Sequence, residues 1–174
     1  MNLRRVQLPV SSSDSFACPA ASRVALGLSR RLTLLQHVVE RQYPVALALD
    51  IVNRDAVDAV PPELATALEA LSHEAVFNAA RHAAAAFMRL SLQVNGGTVL
   101  LSVEDDGKGF PFAGVYDLDA LQALDVGPLR LMERVAAWGG SLVLVSRATG
   151  TRIDIALLRD ASHATRLDPT QKAA

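Results

Sequence analysis

The chain has 174 residues, 51% hydrophobic and 20% charged, which is enough apolar mass for one globular domain with a real core. A formal net charge of −1 gives no electrostatic basis for binding nucleic acid or an anionic membrane surface. The single cysteine, Cys18, excludes an internal disulfide, and no apolar stretch approaches a membrane span, so a reducing, cytoplasmic setting is expected.

Residues 1–21 are rich in Ser, Pro and Ala without periodicity and read as a flexible arm. Ser22 is placed to cap a helix running to about Gln42, with Val24, Leu28, Leu32, Leu35 and Val39 near helical spacing. Pro44 stops it. Val45 to Val52 alternates in the manner of a half-buried strand, Asn53 to Val60 reads as a loop, and Pro61-Pro62 opens a long helix. Phe87 to Val94 and Thr98 to Glu104 form a hairpin around Asn95-Gly96-Gly97. Beyond Phe110 the pattern is lost until Gly127, apart from a possible helical turn at Leu118 to Leu124. Pro128 to Trp138 is a helix stopped by Gly139-Gly140, and Ser141 to Arg147 pairs with Thr151 to Leu158 in a second hairpin. Arg159 to Ala174 reads as a disordered tail. Hairpins alternating with helices imply an α/β (α+β) fold, a sheet with helices layered on one face.

The long helix carries the first chemical signal. Leu64, Leu68, Leu71 and Ala75 draw an apolar stripe whose next position is Asn78, with Glu74 one turn earlier at its edge. A carboxylate and an amide turning inward need polar partners. A hydrated metal ion satisfies both, the amide oxygen as a ligand and Glu74 as proton acceptor. Taken alone, the same residues also suit a helix whose last turns are solvated. The second signal is Asp105, where a strand ends, followed by Gly107 to permit a positive φ and Gly109 to let backbone approach a ligand. An Asp-Gly turn between elements is the plainer reading of that stretch by itself.

Glu74-x-x-x-Asn78 followed by Arg81, His82 and Ala83, then Asp105-Asp106-Gly107-Lys108-Gly109, Gly127 with Glu133-Arg134-Val135 and Gly139-Gly140, and Thr149-Gly150-Thr151 occur in this order. Together they resemble the ATP-binding (HATPase_c) catalytic domain of sensor histidine kinases, in the superfamily of gyrase, Hsp90 and MutL (GHKL), on the NarL- and DegS-like branch. The resemblance covers roughly residues 22–158. It implies a Bergerat-type fold, a two-layer sandwich of a mixed β-sheet and helices, holding ATP and Mg2+ beneath a flexible lid.

Carried over residue by residue, the resemblance makes Asn78 the metal ligand and Asp105 the acceptor for adenine's exocyclic amine. Thr151 supports that Asp, and Gly107, Gly109 and Gly127 shape the nucleotide site. It gives Arg81 a role toward phosphate and Glu74 the polarisation of the nucleophile, while Lys108 is a further candidate to reach phosphate. Asp106 falls at a variable position, and His82 suits a packing role. The chain departs from the family before the last helix, where Gly-x-Gly-Leu is usual and Asp125-Val126-Gly127-Pro128 stands instead. Asp125 is expected to set a negative charge near phosphate, and Pro128 lacks an N–H.

The function implied is Mg-ATP binding with transfer of the γ-phosphoryl group to a histidine. The chain's four histidines include none that precedes Asp, so the acceptor is expected on a protein partner or a missing dimerisation domain. The alternatives are a serine kinase of the anti-sigma-factor type and a non-catalytic ATP-binding interaction module.

Overall fold

The computed structural model describes residues 26–159. The expected arm at 1–21, the expected cap Ser22 and all of the expected tail beyond Arg159 lie outside the described residues. The elements are α1 (Leu28–Gln42), β1 (Ala46–Val52), α2 (Arg54–Asp58), α3 (Pro62–His82), β2 (Phe87–Asn95) and β3 (Thr98–Asp105), followed by β4 (Gly114–Asp117), α4 (Leu118–Leu124), α5 (Leu129–Ala137), β5 (Ser141–Arg147) and β6 (Gly150–Leu158).

The strands form one six-stranded sheet in the order β1-β2-β3-β6-β5-β4. The β1–β2 pair is parallel and the other pairs are antiparallel, which makes the sheet mixed. One face is apolar and covered. Met88, Leu90 and Leu92 of β2, Val99, Leu101 and Val103 of β3, and Ile153, Ile155 and Leu157 of β6 are all buried there. They pack with Leu32, Leu35 and Val39 of α1, Leu64, Leu68 and Leu71 of α3, and Leu131, Met132 and Val135 of α5. The opposite face carries Arg89, Ser91, Ser102, Glu104, Arg152 and Asp154, polar enough to stay in water as one side of an antiparallel sheet can. The expected two-layer α/β arrangement is what the chain forms.

Some boundaries differ from those read in the sequence, each for a local reason. α1 starts at Leu28, after Gly27, and its first turn is capped from outside. The Ser29 N–H and hydroxyl donate to the two carboxylate oxygens of Asp58, each at 2.7 Å. That Asp ends α2, a short helix where the sequence suggested only a loop. Asn53 starts α2 by accepting the Ala56 N–H at 3.2 Å. β4 was not anticipated either. It is an exposed edge strand whose pairing with β5, rather than any alternation of its own, defines it. At the other edge, β1 is covered by α1: Gln36 Nε2 donates to the Leu47 carbonyl at 2.6 Å, and the Leu47 N–H donates to Glu40 at 3.1 Å. Those contacts satisfy outward-facing main-chain groups that would otherwise recruit another strand.

Candidate functional site

The end of α3 and the loop after β3 are locked together by main chain. The Lys108 N–H donates to the Ala83 carbonyl at 2.9 Å. A side chain at Gly107 would overlap that same carbonyl and the Ala83 Cβ, so only glycine fits. The expectation of a positive φ at Gly107 is corrected: Gly107 is not among the positive-φ residues, and its requirement is steric. Gly109 does have a positive φ, of 68°, but what crowds its Cβ position is the Arg147 carbonyl of β5. Close packing of main chain on main chain requires glycine there, and the same residue also lines the cavity. Asp106, at the variable position, holds the same junction: its Oδ1 accepts the N–H groups of Ala86 and Phe87 at 2.8 and 2.9 Å.

This junction sets α3 across the ends of β3 and β6. Asp105 and Thr151 are paired in register between those strands, and both are buried. Asp105 Oδ1 accepts the Gly107 N–H at 2.8 Å. Burial pushes the Asp105 carboxyl above the usual aspartate range, with Asp106 adding to the rise. Hydrogen bonds from the Gly107 and Thr151 main chain and from the Thr151 side chain oppose that rise without cancelling it. A buried carboxylate with donors on its own side is an acceptor held ready for one more N–H.

Glu74 and Asn78 face the same space from α3, both half-buried. Asn78 Nδ2 donates to Glu74 Oε1 at 3.3 Å, and the Asn78 oxygen has no partner among the described residues. Arg81, one turn later, is engaged elsewhere. Its Nε donates to the Tyr43 hydroxyl at 3.1 Å, and its guanidinium lies 5.4 Å from the centroid of the Phe77 ring. His73 stacks on the same ring at 4.2 Å, and Tyr43 meets it edge-on at 5.8 Å. His82 is exposed in the last turn of α3 and lines the cavity with Arg81.

The fourth wall is the start of α5, which packs against α3 and β5. Gly127, with φ 99°, Pro128, Leu129 and Arg130 line the cavity. Pro128 is the N-cap rather than the first helical residue, and no side chain caps the helix. Asp125 is not in the lining. It closes α4 in a left-handed conformation, its N–H bonding back to Gln122 and Leu121, which corrects the expectation of a negative charge facing the site. The rim is completed by Phe110 and Pro111, and the Phe110 N–H is held by buried Ser146 Oγ at 2.9 Å.

The half-open cavity measures about 730 Å³, within the range of small-molecule sites. It gathers Glu74, Asn78, Arg81, Asp105, Gly109, Gly127 and Thr151 from four separate parts of the chain. Gly107 stands behind the lining. Among the described residues no group of three or more His, Cys, Asp or Glu could hold a metal ion by themselves. A magnesium ion suits such a site only if substrate phosphates and water complete its shell around the Asn78 oxygen, which is how magnesium is commonly held. Arg130 and Ser146 are not legible in the sequence, since an Arg in a helix and a Ser in a strand carry no motif, and the variable position of Asp106 gives no sign of its two main-chain contacts.

No family model matches this chain, and no curated protein is significantly similar to it in sequence. Solved structures are similar. The blue-light activated histidine kinase of Erythrobacter litoralis superposes with a TM-score of 0.64 at 22% identity, over 81% of this chain and 44% of that one. The catalytic domain of histidine kinase ThkA gives 0.55 at 14% identity, over 77% and 94%. The ATP binding domain of PrrB from Mycobacterium tuberculosis gives 0.53 at 20% identity, over 77% and 95%. The fold is therefore that of histidine kinase ATP-binding catalytic domains. The chain spans less than half of the Erythrobacter kinase and nearly the whole of the separate catalytic domains.

Proposed function

We propose that this chain binds Mg-ATP in the α3–β3–β6–α5 cavity and transfers the γ-phosphoryl group to a histidine on a partner protein or another domain, as a catalytic module of two-component signalling. The observation that carries this reading is the convergence of the Glu74–Asn78 pair and the Asp105–Thr151 pair on one cavity. The neighbours' fold supports it. The Glu133-Arg134-Val135 and Gly139-Gly140 pattern favours the NarL- and DegS-like branch. Among the described residues no helix is long and apolar enough to cross a membrane, and the proposed setting is the cytoplasm, where ATP is found.

In this reading the Asp105 carboxylate accepts a hydrogen bond from adenine's amine, and Thr151 fixes its rotamer. Asn78 presents its oxygen to the metal while Glu74 holds its NH2 group. Bound magnesium neutralises phosphate charge. Glu74, half-buried beside Asn78, is placed to take a proton from, or polarise, an incoming imidazole. Transfer of this kind depends mainly on positioning and charge stabilisation, so few residues suffice.

Calorimetry of ATP binding with and without magnesium tests the reading. Asn78→Ala is expected to lose magnesium-dependent binding while keeping the fold, because the amide faces the cavity rather than the core. Binding that persists in the variant with the same magnesium dependence refutes the assignment. Labelling with radioactive ATP then separates histidine transfer, which yields acid-labile phosphate, from serine transfer. The loop before α5 favours a second reading, a non-catalytic ATP-binding module, because Pro128 removes an N–H from the wall expected to meet phosphate.

A further inference from the structure

Three cations line the cavity, Arg81, Lys108 and Arg130, against the carboxylates Glu74 and Asp105. Motif position favours Arg81 as the phosphate residue. Its surroundings do not. Although Arg81 lines the cavity, its Nε donates to the Tyr43 hydroxyl at 3.1 Å and its guanidinium lies 5.4 Å from the Phe77 ring centroid, so reaching further in forfeits both contacts. Lys108 and Arg130 are exposed, and neither has a hydrogen bond or ion pair for its side chain among the described residues.

Their anchorage suits a fixed task. Lys108 sits on the loop clamped to Ala83 by its own N–H at 2.9 Å. Arg130 belongs to the first turn of α5, whose Leu131 and Met132 are fully buried, so its Cα cannot drift from the cavity wall. At that wall Pro128 has no N–H, so the main chain offers one donor fewer there. A guanidinium two residues later offers several donors in a planar fork, a geometry that matches phosphate oxygens.

We propose that Arg130, seconded by Lys108, is the residue that meets the phosphate chain of the nucleotide here, and that Arg81 is a structural clamp on Tyr43, the residue that ends α1. The inference rests on the proposed ATP site and deepens it. It makes the ligand's phosphates, rather than its nucleoside, the source of dependence on Arg130.

The test is calorimetry of the full chain and its Arg130→Gln, Lys108→Gln and Arg81→Gln variants with ATP and with AMP, at low and at moderate salt. Loss of one charge-assisted contact predicts about a tenfold weaker ATP affinity for Arg130→Gln. Its AMP affinity should change much less, and the salt dependence of ATP binding should flatten. Lys108→Gln should lose less, since a flexible ammonium lacks the planar fork that grips phosphate oxygens. Arg81→Gln should weaken ATP less than Arg130→Gln while lowering the melting temperature, because it breaks the Tyr43 and Phe77 contacts. Wild-type-like ATP affinity in Arg130→Gln overturns this inference and leaves the ATP site standing, as does a larger ATP loss in Arg81→Gln. A wild type that binds no ATP overturns both.

Discussion

Asp105 and Thr151 sit opposite one another on β3 and β6, and both the main chain and the side chain of Thr151 hydrogen-bond to the Asp105 carboxyl. Those bonds lower the carboxyl's pKa, yet burial outweighs them and the net shift is upward. The native state therefore holds this proton more tightly than the unfolded chain does. From the ordinary aspartate range up to the raised value, the native state binds more protons, so this group makes stability fall as pH rises through that window.

Ligand binding runs the other way, because the ionised carboxylate accepts a second N–H more strongly than the protonated acid does. ATP affinity should weaken as pH falls through the raised value, at a pH above that of an ordinary aspartate. Asp105→Asn should bind more weakly throughout and show no such step. A binding titration of both proteins across the acid range decides it; an affinity that stays flat in the wild type down to ordinary aspartate pH removes Asp105 from the site.

Gly107 is the tightest point of the junction between α3 and the loop after β3. Substituting Ala places a methyl group against the Ala83 carbonyl, which cannot move without breaking its bond from the Lys108 N–H. Overpacking of this kind costs roughly 1–3 kcal/mol. Gly107→Ala should therefore lower the unfolding free energy by an amount in that range and also weaken ATP, since Asn78 and Asp105 lose their common frame. Chemical denaturation measures the first effect and calorimetry the second. A stable variant with unchanged binding would mean that the junction does not set the site.

Most of this architecture was legible because its signals are local. The Leu64-Leu68-Leu71 stripe, the Asn95-Gly96-Gly97 turn and the Gly139-Gly140 stop each act within a few residues, and α3, the first hairpin and α5 fall where they indicate. What was missed depends on distant partners. β4 exists because Gly114 to Asp117 finds β5, and α1 starts at Leu28 because Asp58 reaches back to Ser29. The glycines of the Asp105 loop were identified, but with the wrong physics at Gly107, since a steric demand from Ala83 leaves no trace in the loop itself. Arg81 shows the same limit. Its place beside Asn78 is read from spacing, whereas its commitment to Tyr43 is visible only in three dimensions.

The placement of histidines leads to the last prediction. In-line transfer needs the acceptor nitrogen about 3–3.5 Å from the phosphorus, on the side opposite the leaving oxygen. Of the histidines in the described residues, His37 and His73 do not line the cavity, and His73 is stacked on Phe77. His82 does line it, but it belongs to the last turn of α3, whose following residue Ala83 is fixed to the Asp105 loop. It cannot swing across its own site. With Mg-ATP the isolated chain should bind nucleotide without labelling its own histidines. Acid-labile phosphate should appear only on an added partner that presents a histidine on a helical hairpin. Stoichiometric acid-labile labelling of the chain alone, abolished by His82→Gln or by removing any other of its histidines, would show that the acceptor lies within this chain after all.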